Sequence, residues 1–503
     1  ISNLSVDRSG ANRAGLVGNL GSDGTIQNLT IQNASVTGNN DVGAAVGTSA
    51  GTVENVTTSG TVNGNDRVGG LVGETIANGV ITGSTASVNT SGNQAIGGLV
   101  GQSSGAVNNA SASGEVTATS KYAGGLIGDH QSTTPVTDVN ASGTVSGTGS
   151  VGGLIGRTNI SVRNATARGD VNGTTADNIG QVGGLIGELR VDQPTTISDT
   201  TATGAVSADN KYVGGLIGNA VGGDTAPINI SGARARGTVT QTDSTIGSVR
   251  AGGLVGRLRY GGNVTNVSAT GDVTSEGGNR VGGLFGELNH KSASSTVANA
   301  SATGDVDATT GSNVGGLIGA YIDGGTIKTS YARGNVSTSG DNVGGLVGEA
   351  NGNIKRVYAT GRVEGDGTDI GGLVGISTGQ LSEAYWDKGA TAQTDATGSG
   401  TPATVTGYGL VGDTTPAPRM QGRAATEFMS GLDYTTTWNT TRGYPVLQAQ
   451  TTGTKQLPRT VDRVEATNAS GVQSEQFSIA VTVTTTGTST AEGLIVGVQD
   501  TGG

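Results

Sequence analysis

The 503-residue chain has no cysteine, only 8 prolines, 2 histidines and 3% aromatic residues. The missing cysteine excludes disulfides, thiolate nucleophiles and Cys-ligated zinc. Scarce proline without a Gly-X-Y period excludes a collagen triple helix. Charged residues make up 13%, about half the usual share. Disordered chains of low hydrophobicity normally carry high net charge, so the composition argues against disorder as well. A net charge of −11 provides no Lys/Arg stripe for phosphates and speaks against nucleic acid. It suits solubility in a salty medium. No apolar run approaches the ~20 residues of a membrane span. The chain starts at Ile1 without a start methionine or signal peptide, and reads as a processed or trimmed piece.

Glycine is abundant, at 93 residues, and it is periodic. A hexapeptide recurs as VGGLVG (Val68–Gly73), VGGLIG (Val151–Gly156 and Val213–Gly218) and VGGLFG (Val281–Gly286). Thirteen copies end at glycines from Gly18 to Gly375, spaced 26 to 38 residues apart. A second motif lies between them, as in VRNATARGDV (Val162–Val171) and VTNVSATGDV (Val264–Val273). Each period thus carries three short apolar stretches parted by glycine and small polar residues, which reads as β-strand. Such a unit cannot bury its own apolar edge, so units must stack. The expected fold is all-β: a three-sided parallel β-solenoid of about 13 coils, a rod on the order of 60 Å long. Alanine recurs at one strand position (Ala112, Ala141, Ala167, Ala202, Ala235), which suits a narrow interior. The hexapeptide glycines suggest a tight bend or close backbone approach.

The repeated GG-L-(V/I)-G unit resembles the GLUG repeat family, over about residues 1–385. The resemblance implies a surface-exposed, β-rich repeat region of bacterial or archaeal surface proteins, and no single activity. Residues 386–450 read as a cap over the last coil. They contain one amphipathic helix candidate, Met420–Leu432, with Met420, Ala424, Phe428 and Leu432 on one face. Its AYWD, MSGLDYTTTW and YPVL segments resemble the ending of haloarchaeal GLUG proteins. Residues 451–503 read as a linker and the first strands of a β-sandwich, with Phe477, Ile479, Val481 and Val483 alternating with polar residues. They resemble the start of an adhesion-type Ig-like module of archaeal surface proteins. About 45 residues are too few to complete one, so the sheet is expected to continue past Gly503 or to pair with another chain.

Catalytic constellations are not evident. His130 and His290 lie far apart, outside any HExxH, and read as exposed loop residues. There is no GxSxG elbow. Thirteen glycine copies without GxxxxGK(S/T) are not a phosphate loop. Asp170, Asp272 and Asp305 share one coil position, but their equivalents Thr238, Asn335 and Arg362 break any acid cluster. A solvated face is the expectation, with a weak cation site at Asp272 and Asp305 as the alternative. No cofactor and no metal are expected. Tyr331, Tyr358 and Tyr385 recur at one position of three successive coils, followed by Trp386. Alternation points the tyrosines outward, either as a row that binds sugar rings or a partner, or packed beneath the cap. Of 17 Asn-X-Ser/Thr sequons, six (Asn33, Asn55, Asn109, Asn164, Asn266, Asn299) share a position held elsewhere by Gly83, Asp138, Asp199 and Gly232. Those residue types tolerate a left-handed corner, so the six are discounted as glycan sites, with an inward Asn ladder as a further option. Asn140, Asn172 and Asn335 stand as glycosylation candidates.

The resulting expectation is a non-catalytic extracellular rod at a cell surface that presents or spaces binding modules. The alternatives are a viral receptor-binding fibre on a virion surface and a polysaccharide-acting β-helix enzyme, which needs two close acids. Expected partners are a surface polysaccharide, another cell-surface protein, or further copies through the solenoid ends.

Overall fold

A computed structural model describes residues 1–174, 180–290, 292–400, 404–409 and 418–450. The alternating strands expected within 451–503 lie outside the described residues. Solenoid and following segment form one compact unit, residues 1–452.

The chain is a parallel β-solenoid. One coil runs through strands Ala106–Ala112, Val116–Ala118, Ala123–Gly124 and Ile127–His130. Each strand pairs in parallel with its equivalent in the next coil, in strict register: Ala112 with Ala141, Val116 with Val145, Ala123 with Val151, and Ile127 with Ile155. Three sheets result, of 28, 14 and 12 strands. The broad sheet takes the second motif, and the two others take the two arms of the hexapeptide. Each coil therefore gives four strands where the sequence suggested three. The extra break falls at the Ser-Gly pair before the final valine of the second motif. There the backbones touch: a methyl added at Gly143 would lie 1.8 Å from the carbonyl oxygen of Gly114 in the preceding coil.

The hexapeptide folds back on itself as an arch. A methyl on Gly152 would meet the Ile155 carbonyl oxygen at 2.0 Å, so the two arms lie backbone against backbone and only glycine fits. The leucine at the tip (Leu99, Leu126, Leu154, Leu185) is fully buried. The second glycine presses on the broad sheet. A methyl on Gly153 would stand 3.2 Å from the Ala167 Cβ and 2.2 Å from the Gly184 carbonyl oxygen. The same glycine–alanine facing recurs at Gly125 and Ala141, Gly184 and Ala202, and Gly215 and Ala235. The alanine column is small because it faces glycine backbone.

In the last coil Trp386 replaces this alanine, against Gly372. The Asp387 side chain accepts from the Ala390 N–H at 3.0 Å and caps a short helix, Lys388–Thr391. Strands Thr397–Ser399 and Thr404–Tyr408 then pair onto the thirteenth coil. These residues close the end. Residues 418–450, expected over that end, lie instead along the flank of the broad sheet. They hold a single α-helix, Ala424–Phe428, far shorter than the Met420–Leu432 expectation. Gly422 takes φ +56° just before it, and a second glycine, Gly431, follows. The buried face is Ala425, Met429 and Leu432 rather than Ala424 and Phe428.

Candidate functional site

The tyrosine row points out of the broad sheet, as alternation requires, and the flank segment covers it. Tyr331, Tyr358, Tyr385 and Trp386 are all buried, between 0% and 7% exposed. Tyr331 and Tyr358 stack at 5.1 Å with their planes 2° apart, and Trp438 lies against both at 5.9 and 5.6 Å. The Arg333 guanidinium donates to the Tyr358 hydroxyl at 2.7 and 2.9 Å and to the Tyr444 carbonyl at 2.9 Å. The Tyr358 hydroxyl donates to the Pro445 carbonyl. Burial pushes the Tyr358 phenol well above its usual range, so it stays protonated. Of the two sequence readings, the structure adopts packing: no ring of the row is open to a sugar. The flank then runs back along the rod. The Gln450 amide donates to the Asn299 and Val267 carbonyls at 3.1 and 3.0 Å and accepts from the Ser301 hydroxyl at 2.7 Å.

The outer polar columns bond along the rod axis. Asp170 accepts from the Ala205 N–H at 2.8 Å, Asp272 from the Asp305 N–H at 2.8 Å, and Asp305 from the Asn335 N–H at 2.7 Å. Each carboxylate holds the backbone of the next coil. Among the described residues no group of three His, Cys, Asp or Glu is placed to hold a metal ion. Five of the six sequon asparagines, Asn55, Asn109, Asn164, Asn266 and Asn299, share one corner with φ between 46° and 55°, and Gly83, Asp138, Asp199 and Gly232 take φ between 54° and 61° there. Asn33 does not share it: Gln27 pairs with Glu54 and Thr30 with Thr57, so Asn28 (φ 52°) stands opposite Asn55, and Asn33 falls at a register shift further along the strand. Apart from Asn33, they are the corner residues expected. Their side chains face outward rather than inward: Asn299 donates to Asn266 at 3.1 Å and Asn164 to Asp138 at 2.5 Å. Thr329, Arg356 and Glu383 occupy the same left-handed corner further along. Asn140, Asn172 and Asn335 are exposed. The Asn335 amide is engaged on both sides, donating to Asp305 at 3.4 Å and accepting from the Arg362 N–H at 3.0 Å.

The histidines are not exposed. Both are 0% accessible: His130 takes an inward position at the end of strand Ile127–His130, where it aligns with Ser103 and Thr158 of its neighbours, and His290 lies just past strand Phe285–Asn289. Desolvation lowers the His130 imidazole to about 4, and also lowers that of His290, which bonds to the Gly261 carbonyl at 3.0 Å and stands edge-on to Tyr321. Both are neutral interior residues.

The mouth of the arch carries the charged groups that sequence reasoning passed over. Residues just before and just after the hexapeptide meet there across neighbouring coils. In one place Tyr122 precedes a hexapeptide, Asp129 follows it, and Arg157 follows the next. Arg157 lies 4.0 Å over the Tyr122 ring, donates to its hydroxyl at 2.6 Å, and forks onto Asp129 at 2.6 and 2.9 Å. Burial opposes the Arg157 charge, and the Asp129 bond outweighs it, holding the guanidinium above its usual range. Three coils on, Tyr212, Asn219 and Arg257 repeat the layout. Arg257 lies 4.3 Å over the Tyr212 ring, donates to its hydroxyl at 2.8 Å and to the Asn219 side-chain oxygen at 3.0 Å. Here an amide stands where the first copy has a carboxylate. Arg250 and Lys211 also approach the Tyr212 ring, at 5.6 and 5.7 Å. Glu287 of the next coil is held by Arg250, at 2.7 Å, and by Arg280. Burial and then the neighbouring Arg250 and Arg259, outweighing Glu287 and Tyr212, bring the Arg257 guanidinium below its usual range. The signal in the sequence is the position: the two residues flanking each hexapeptide.

Together the coils and their axial bonds define a non-globular repeat protein, a parallel β-solenoid. The GLUG motif family matches residues 247–274 and 339–364, so the chain is a GLUG-repeat β-solenoid. Its whole length is 60% identical, in an alignment of 589 residues, to Halomucin of Haloquadratum walsbyi, and it spans 6% of that protein's length. No solved structure matches the chain.

Proposed function

We propose that this chain is a non-catalytic extracellular rod, a stiff segment of a cell-surface protein of the haloarchaeal type that spaces or presents binding modules. The observation that carries this reading is how the outer side chains are used. Asp170, Asp272, Asp305, Asn164 and Asn299 all bond to the neighbouring coil. An exterior spent on axial bonds builds length and stiffness rather than a cleft. Whole-length similarity to a small share of a very long relative supports a segment role. Self-assembly in this reading joins further copies through the solenoid ends. The expected partners are a surface polysaccharide and another cell-surface protein.

The test is immunogold electron microscopy on the native source with an antibody to the solenoid. Gold on cell envelopes, or on threads leaving them, is the expected outcome. Gold on virus particles would replace the rod with a fibre that binds host receptors. Release of reducing sugar from envelope polysaccharide by the purified chain would replace it with an enzyme.

A further inference from the structure

The arch mouth around Tyr212 carries more positive charge than its own side chains answer, in a chain whose net charge is −11. Lys211, Arg250 and Arg257 converge on one ring, Arg259 follows in the same coil, and Arg280 stands in the next. Glu287 answers Arg250 and Arg280. Arg257 is half-buried and has no ion pair among the described residues; its Nε and Nη1 bond to neutral oxygens of Asn219 and Tyr212, and its Nη2 has no bond among them.

The repeat supplies its own control. At Tyr122 the same tyrosine–arginine stack is closed by Asp129, whose two oxygens take Nε and Nη2 of Arg157. At Tyr212 the aligned residue is Asn219, and the oxyanion is missing from a cradle that is otherwise the same. The lysine before the tyrosine is common to both copies, as Lys121 and Lys211, and one further cation, Arg250, stands beside the second ring where the first copy has Ser150. A guanidinium that is held in place by two neutral oxygens and partly desolvated offers its remaining nitrogen, Nη2, to a carboxylate or sulfate in a charge-assisted bond.

We propose that the cleft formed by Lys211, Tyr212, Asn219, Arg250 and Arg257 binds an oxyanion group, carboxylate or sulfate, of an acidic polysaccharide. The cations come from two adjacent coils, in a chain whose net charge is −11. That geometry suits a polymer with spaced single charges and opposes a nucleic acid, which needs a continuous basic track. The inference rests on the surface-rod reading only for the source of the polymer; binding is a property of the chain itself.

The experiment is isothermal titration of the full chain at low salt with two probes, a sulfated oligosaccharide and an oligouronate of equal length. Double-stranded DNA and polyglutamate serve as competitors. Asn219→Asp places an internal carboxylate where Asp129 stands in the first copy. It is expected to keep the fold, raise the melting temperature, and weaken binding roughly tenfold to a hundredfold. Arg257→Ala is expected to weaken binding likewise, and Arg157→Ala to leave it unchanged. Affinity falls as salt rises. The relative response to the two probes tells sulfate from carboxylate. Wild-type chain that binds neither probe, or equal binding by Asn219→Asp, overturns the proposal. So does preferential displacement by DNA or polyglutamate. None of these results bears on where the gold label falls, so the two readings fail separately.

Discussion

At the residue scale, the fold depends on the absence of side chains at defined points. Gly153 and Ala167 face each other with no room between them. Gly153→Ala places a methyl 2.2 Å from a backbone oxygen that cannot move without shifting the next coil. The expected cost is about 1–3 kcal/mol, read as a lower urea midpoint with the loss of amide protection centred on the coils of Gly153 and Gly184. The alanine column and the glycine arch were legible because they repeat; their mutual contact was not, because the two lie far apart within a period. The corner asparagines were legible for the same reason, since only Asn, Asp and Gly alternate there over ten coils. Mass spectrometry of the native protein is expected to find glycan on exposed Asn140 and Asn172 and none on the left-handed corners such as Asn109. Glycan at the corners would show that the turn is no barrier. The histidines were misread because a single inward histidine at the end of a strand, as His130, or just past one, as His290, looks like a loop residue. Their burial sets a pH dependence. His130 titrates at about 4 in the fold against an ordinary 6.5, so its neutral form is the folded form. Stability is complete above about 6.5 and falls with pH down to about 4, by up to about 3 kcal/mol. His130→Thr, the residue of the next coil, is expected to flatten the urea midpoint between pH 6.5 and 4. An unchanged slope would place the loss elsewhere.

At the scale of elements, strand pairing follows from the period, whereas the packing of residues 418–450 does not. Nothing in that segment repeats, and its contacts reach back more than a hundred residues, as with Arg333 and Tyr444. The tyrosine row was placed on the right face by alternation; what covers it is a tertiary fact. Helix length was overread because apolar spacing was weighed without Gly422 and Gly431. Trp438 is the centre of the flank contact, against both Tyr331 and Tyr358. Trp438→Ala removes a buried aromatic at a cost of about 3–5 kcal/mol. The expected result is local: protease cleavage within 418–450 and quenchable tyrosine fluorescence, with far-ultraviolet dichroism of the solenoid unchanged. Cooperative loss of the whole β signal would show instead that the flank holds the coils together. The Tyr212 cleft escaped sequence reading because its members come from neighbouring coils, and a column of charges is visible only once register is known.

At the scale of the molecule, each coil contacts only its neighbours, so stability is a sum of local terms, and a chain pulled from one end peels coil by coil. The return of the chain along the flank changes where such a pull is felt. Gln450 is fastened at Val267, Asn299 and Ser301, several coils before Trp386. Tension on the chain beyond Gln450 therefore enters the rod part-way along its side, and the closing coils hang free of it. The rod is anchored like a cable cleated to a mast below its top: the fastening must slide across several coils at once before any single one can be unwound.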